Sequence, residues 1–118
     1  MSLSQKSCVP CKGGVPPVEG KLLDEYMKQV PGWKLENNKI MRKFIFKNFK
    51  EAFDFANEVG RLSEREEHHP DICVQNYKEV NVTLWTHKIN GLFDNDFILA
   101  AKIDEIKKPQ PTFSDSLK

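Results

Sequence analysis

Residues 48–87 read NFKEAFDFANEVGRLSEREEHHPDICVQNYKEVNVTLWTH, and the change of hydrophobic period within that stretch decides the fold. In its first half Phe49, Ala52, Phe53, Ala56 and Val59 recur at helical spacing, with Leu62 close to the same stripe. That pattern predicts a long amphipathic helix. Asn48 suits its N-cap, and Glu51 three residues later completes a capping-box-like pair. Pro70 disfavours the α region at His69, so the helix is expected to end near His68. The second half changes period. DICVQ reads as a short strand, and in YKEVNVTLWTH the residues Val80, Val82 and Leu84 alternate with Asn81, Thr83 and Trp85. Alternation of this kind predicts a half-buried strand, here ending at His87.

Working outward, Asn90-Gly91 predicts a turn, and FDNDFILAAKIDEIKK predicts a last helix with Leu99, Ile103 and Ile106 on one face. Asp94 can cap it, and Lys107 and Lys108 suit its negative end. Upstream, WKLE and KIMRKFIFK flank Asn37-Asn38, a pair that tolerates positive φ, so a hairpin is expected, with Ile40, Phe44 and Phe46 on one face. Before it, Leu22, Leu23, Tyr26, Met27 and Val30 predict a first helix from Val18 to about Gln29, stopped by Pro31-Gly32. Residues 1–17, with Gly13, Gly14, Pro16 and Pro17, read as a flexible arm, and 109–118 as a frayed tail. The order α-β-β-α-β-β-α in a single domain over 18–108 predicts an α+β fold: a four-stranded antiparallel sheet with helices packed on one face. Free sheet edges invite pairing with a second subunit.

Bulk properties narrow the function. A chain of 118 residues, 39% hydrophobic and 30% charged, is one ordinary domain. A formal net charge of +1 argues against a protein that binds nucleic acid by neutralising phosphates. The longest strictly apolar run, residues 97–101, is far too short to span a bilayer. The start MSLSQKSCVP has no apolar leader, and three cysteines are too few and odd for a disulfide framework. A reducing compartment is expected, cytoplasmic or nuclear.

The chain has 3 histidines, His68, His69 and His87, all at predicted element ends. Imidazole exchanges a proton near neutrality, and Glu64, one helical turn before His68, is placed to orient it. Histidine is also common at helix C-termini for its favourable interaction with the dipole, and spacing alone leaves both readings open. A metal shell of His68, His87 and Cys73 is conceivable, but adjacent histidines diverge and no HExxH spacing is present. Cys8-Val9-Pro10-Cys11 is a lone CxxC followed by Gly13-Gly14 and Pro16-Pro17, read as two free thiols on an arm. Trp33, Trp85, Phe44 and Phe46 read as core, with stacking on a flat heterocycle as the other option. Lys43, Lys47 and Lys50 read as a solvated basic face.

The compound pattern Glu64-x-x-x-His68-His69-Pro70, Tyr77, Val80, Leu84, Thr86-His87, Gly91-Leu92 and Asp96 resembles the signature of the pterin-4a-carbinolamine dehydratases. Gly32-Trp33, the first hairpin and residues 44–53 are similar too, and the likeness runs over about 22–106. Even the Cys-x-Pro-Cys-x-Gly-Gly arm resembles some members. The resemblance implies an α+β subunit assembled as a homodimer or homotetramer, with no metal or organic cofactor; the charge balance and the short apolar runs already argue against direct nucleic-acid contact and a membrane. It implies dehydration of 4a-hydroxytetrahydrobiopterin to quinonoid dihydrobiopterin and water, in the recycling of tetrahydrobiopterin used by an aromatic amino-acid hydroxylase. By that likeness His68 and His87 lie near the C4a hydroxyl, and His69 anchors the pterin and assists as the third catalytic histidine. Glu64 orients the first histidine. Glu67, Trp85 and Thr86 line the pocket, and Trp33 lies near it. Relatives of this kind also act as non-enzymatic dimerisation or assembly partners, including of a transcription factor. Two departures stand out: Phe93 where a Ser or Thr cap is common, and Asn95 where many members carry a basic residue.

Overall fold

The structure, a computed structural model, describes residues 2–10 and 13–106. Its main elements are α1 (Gly20–Gln29), β1 (Lys34–Glu36), β2 (Lys39–Ile45), α2 (Phe49–Glu66), β3 (Asp71–Gln75), β4 (Glu79–Leu84) and α3 (Asp94–Ile106), with short 3-10 turns at Leu3–Gln5 and His87–Ile89. The expected α-β-β-α-β-β-α order is therefore present. The four strands form one antiparallel sheet in the order β1-β2-β4-β3. Both hairpins turn on paired positive φ angles, 52° and 63° at Asn37 and Asn38, 49° and 50° at Asn76 and Tyr77. Such pairs match the right-handed twist of the flanking strands.

Register places Ile40 opposite Leu84, Arg42 opposite Val82 and Phe44 opposite Val80, so one face of the sheet carries the apolar row. Ile40, Val80, Val82 and Leu84 on it are fully buried, as are Val59 of α2 and Phe97, Leu99 and Ile103 of α3. α2 differs from expectation in its rotation. Phe55 is 3% exposed and packs with Ala52, Val59 and Leu62, whereas Phe49 and Phe53 are 52% and 49% exposed. The reason lies in the sheet. Phe44 and Phe46 present a slot that takes the Phe55 ring at 4.7 and 5.0 Å, and burying a ring of that size contributes about 1.5–3 kcal/mol. Phe49 and Phe53 stack on each other outside, 5.6 Å apart.

Element ends also shift. α2 stops at Glu66 because Glu67 turns into the left-handed region at φ 56° and its N–H caps back to Glu64 O and Ser63 O. The break thus precedes the Pro70 effect by more than a residue. Leu22 of α1 is exposed rather than part of the buried stripe. β4 ends at Leu84, not at His87, because Thr86 leaves the ladder to bridge Gly91, its N–H on Gly91 O at 2.8 Å. Asp94 is the first residue inside α3 rather than its cap. The capping acceptor is the side chain of Asp96, whose Oδ2 takes the Phe93 N–H at 2.9 Å. Lys107, Lys108 and the predicted tail lie outside the described residues.

The segment expected as a flexible arm is laid along α2 and α3 over its described residues. Leu3 is buried in the core, Cys8 N–H donates to Glu66 Oε1, and Lys102 Nζ donates to Ser4 O. Among the described residues no helix is long and apolar enough to cross a membrane.

Candidate active site

The left-handed residue at the end of α2 and the Thr86–Gly91 bridge after β4 bring two short loops together at the N-terminal end of α3. Between them lies a cleft of about 380 Å³ lined by Glu67, His68 and His69 from one loop and Thr86 and His87 from the other. Val9 and Pro10 of the arm close a further side, with Asn95 beside them. All three histidines of the chain therefore face one cavity.

His68 is the most constrained. Its Nε2 lies 2.6 Å from Asp96 Oδ1. Asp96 is fully buried, and its Oδ2 also accepts from Thr86 Oγ1 and Phe93 N–H, each at 2.9 Å. A carboxylate that accepts at both oxygens assigns the hydrogen to His68 Nε2. Nδ1 is then the ring nitrogen left to serve as base, or as acid once protonated. Aspartate can do this because it stands at the third position of α3, where its side chain meets the helix's first free N–H. The fold of the loop does the rest: Ser63 O accepts the His68 N–H at 3.2 Å and holds the backbone back on α2.

His87 is held differently. Its ring lies parallel to that of Trp85, 4.2 Å between centroids at 8°, and Lys39 Nζ sits 4.1 Å from the Trp85 centroid. The indole fixes the plane of an otherwise exposed imidazole, and the ammonium favours the indole face by a cation–π contact. His69 Nε2 pairs with Glu64 Oε2 at 2.6 Å, both side chains mostly in solvent, where such a pair is worth at most about 1 kcal/mol.

Several expected roles move accordingly. Glu64 serves His69, not His68, because the left-handed turn at Glu67 breaks the helical spacing that would have put Glu64 under His68. Trp85 supports His87 rather than lining the cleft. Trp33, expected near the site, is buried in the core, with Nε1 donating to Asp104 Oδ1 at 3.0 Å and its ring edge-on to Phe44. Cys73 does not join the histidines. It lies on the exposed side of β3 with Sγ on Gln75 Oε1, and no group of three or more metal-ligating side chains occurs among the described residues. Cys11 lies outside the described residues. Burial, then the Glu66 carboxylate, push the Cys8 thiol up to about 12, so it stays protonated and is a poor nucleophile.

Asp96 and Asn95 are positions beside the cleft whose contacts residue-by-residue reading did not assign. Asp96 stood in the quoted pattern without a role; the available signal was an acid at the third position of a predicted helix. Asn95, noted as a departure, is buried and both ends of its amide are occupied by the Val9 backbone.

As a unit, the cleft offers one imidazole with a fixed tautomer and a second with a fixed plane, from separate parts of the chain. That pair can give a proton to one atom of a small guest and take a proton from another.

Comparison with known proteins places the chain among relatives. The family model described as Pterin 4 alpha carbinolamine dehydratase matches residues 16–106. A protein from Rubrobacter xylanophilus named "Putative pterin-4-alpha-carbinolamine dehydratase" is 49% identical over 105 residues, covering 88% of this chain and 97% of its own. One of the same name from Methylococcus capsulatus is 49% identical over 107 residues, 89% of this chain and 93% of its own. Among solved structures, a protein from Brucella melitensis described as a transcriptional coactivator/pterin dehydratase superposes with a TM-score of 0.70 at 31% identity, over 75% of this chain and 96% of that one.

Proposed function

The chain belongs to the pterin 4 alpha carbinolamine dehydratase family, and from that premise we propose that it converts 4a-hydroxytetrahydrobiopterin to quinonoid dihydrobiopterin and water by histidine acid–base catalysis. The observation that carries the proposal is the meeting of His68, His69 and His87 at one cleft.

The reaction is an elimination. The C4a–oxygen bond breaks as a proton reaches the leaving hydroxyl, and a ring N–H proton departs as the new C=N bond forms. One group must donate and one accept, and imidazole does either near neutrality at a gain of about 10²–10⁴-fold. His68 and His87 take these two roles. The Asp96 carboxylate fixes the first ring, and the Trp85 indole fixes the second. His69 anchors the pterin at the rim, steadied by Glu64, while Glu67 and Thr86 supply polar lining. The chemistry asks for no metal or organic cofactor, since the elimination exchanges no electrons with a partner and needs only a proton delivered to the leaving hydroxyl and one taken from the ring nitrogen. A role in recycling tetrahydrobiopterin follows from the product, which is a substrate for reduction.

The test is a stopped-flow measurement on chemically prepared 4a-hydroxytetrahydrobiopterin. Dehydration well above the buffer rate is expected. A rate equal to buffer rejects the proposal.

A second reading, as a dimerisation or assembly partner, draws on the two sheet edges, β1 and the five-residue β3, and on the description of the Brucella protein. It predicts a homodimer or homotetramer whose surface recruits another protein. A monomer by sedimentation, with full turnover, would dismiss it.

A further inference from the structure

The cleft has a wall that comes from neither histidine loop. Val9 and Pro10 line it, and a set of bonds outside the acid–base machinery holds them there. Asn95, 2% exposed, accepts the Val9 N–H on Oδ1 at 2.9 Å and donates from Nδ2 to Val9 O at 2.5 Å. One amide thus reads both polar groups of one residue, as a neighbouring strand would. An acid or a base at this position has only half of that pattern. Just before it, Glu66 Oε1 takes the Cys8 N–H at 2.9 Å. Lys102 Nζ pairs with the other Glu66 oxygen at 3.5 Å and donates to Ser4 O at 3.0 Å. Cys8 Sγ donates to Asn95 O.

Two features separate this arm from mere packing. Val9 is 53% exposed, so its side chain is not held by burial in the subunit, yet it faces the cavity. The clamping residues also sit beside the catalytic ones: Asn95 is adjacent to Asp96, and Glu66 is two residues before His68. The same helix ends therefore set both the His68 nitrogen and the position of the arm.

We infer that Val9 and Pro10 form a substrate-binding wall of the dehydratase cleft, and that Asn95 is the positioning residue that sets this wall. The inference rests on the dehydratase reading above. The wall is uncharged and apolar, which suits the neutral pterin. Pinning it before the substrate arrives removes an ordering cost from binding. Such a wall contacts ground state and transition state alike, so its loss raises KM and leaves kcat much less affected.

The test uses the full-length chain and steady-state dehydration of 4a-hydroxytetrahydrobiopterin. Val9→Glu places a charge on the wall at a half-exposed position, so folding is preserved. It should raise KM about tenfold with an unchanged thermal midpoint and a far smaller change in kcat. Asn95→Leu removes both bonds to Val9. It should raise KM similarly and speed amide hydrogen exchange in residues 3–9. Should Asn95→Leu fail to fold, Val9→Glu decides the matter alone. A Val9→Glu KM within twofold of an active wild type overturns the wall and leaves the dehydratase reading standing. A wild type without turnover removes that reading and the wall with it.

Discussion

Asp96 accepts hydrogen bonds from His68, Thr86 and Phe93, three groups that approach from two loops and a helix start. Its replacement by an isosteric amide separates chemistry from stability. In Asp96→Asn the amide oxygen can keep the Thr86 and Phe93 donors, but the NH2 group then faces His68. The imidazole must accept at Nε2 and carry its hydrogen on Nδ1, which abolishes the base at the cleft. A loss of about 10²-fold or more in kcat is expected, with a stability loss of only about 1 kcal/mol. Asp96→Ala leaves the buried donors unpaired and should cost about 3–5 kcal/mol. Stopped-flow kinetics and urea unfolding read both; an Asp96→Asn enzyme with wild-type kcat would show that the tautomer does not matter. Cys8 gives a pH effect of known sign. Its thiol is raised to about 12 from 9.0 by burial and by Glu66. Between those values the folded chain keeps a proton that the unfolded chain has lost, so stability falls as pH rises from 9 towards 12. Urea titrations across that window should show a decline in the wild type that is smaller in Cys8→Ala. Parallel curves would mean that the thiol titrates normally in the folded chain.

At the scale of elements, α2 shows what periodicity alone leaves open. Phe49, Ala52, Phe53, Ala56 and Val59 make a valid helical stripe, and so do Ala52, Phe55, Val59 and Leu62. The sequence of the helix does not choose between two overlapping faces. The choice is made by Phe44 and Phe46 of the sheet, which receive Phe55. Phe55→Ala should therefore cost about 3–5 kcal/mol, and Phe53→Ala less than about 1 kcal/mol in the isolated subunit. Denaturant midpoints for the two proteins, with unchanged m-values, check the order; equal losses would return the helix to the other rotation. The hairpins were legible for the opposite reason. Asn37-Asn38 demands positive φ at consecutive residues, a local constraint that no partner element can change. Asn76-Tyr77 has the same geometry with weaker turn chemistry, and the strand after it begins at Glu79, next to the first of the alternating residues.

At the scale of the molecule, the layer order and the sheet followed from the alternation of periods, because the change from helical to alternating spacing fixes the type and order of the elements even where, as in α2, the buried face is left open. The site was legible as a set of histidines at element ends and illegible as a circuit. Which carboxylate holds which imidazole depends on a single left-handed residue, Glu67, and on a helix start that contacts a loop ten residues before it in the chain. The arm was the least legible part. Gly and Pro predict irregular backbone but say nothing about whether that backbone is held, and the holding groups, Asn95 and Glu66, lie on helices far away in sequence. On the dehydratase reading, two imidazoles from separate loops divide the proton transfers of one dehydration. The direct measurement is the single-turnover dehydration rate of His68→Ala, His87→Ala and the double variant, each shown to be folded by circular dichroism. The account predicts a loss of about 10²-fold or more for each single variant and a far larger loss for the double. Equal losses in all three proteins would contradict it.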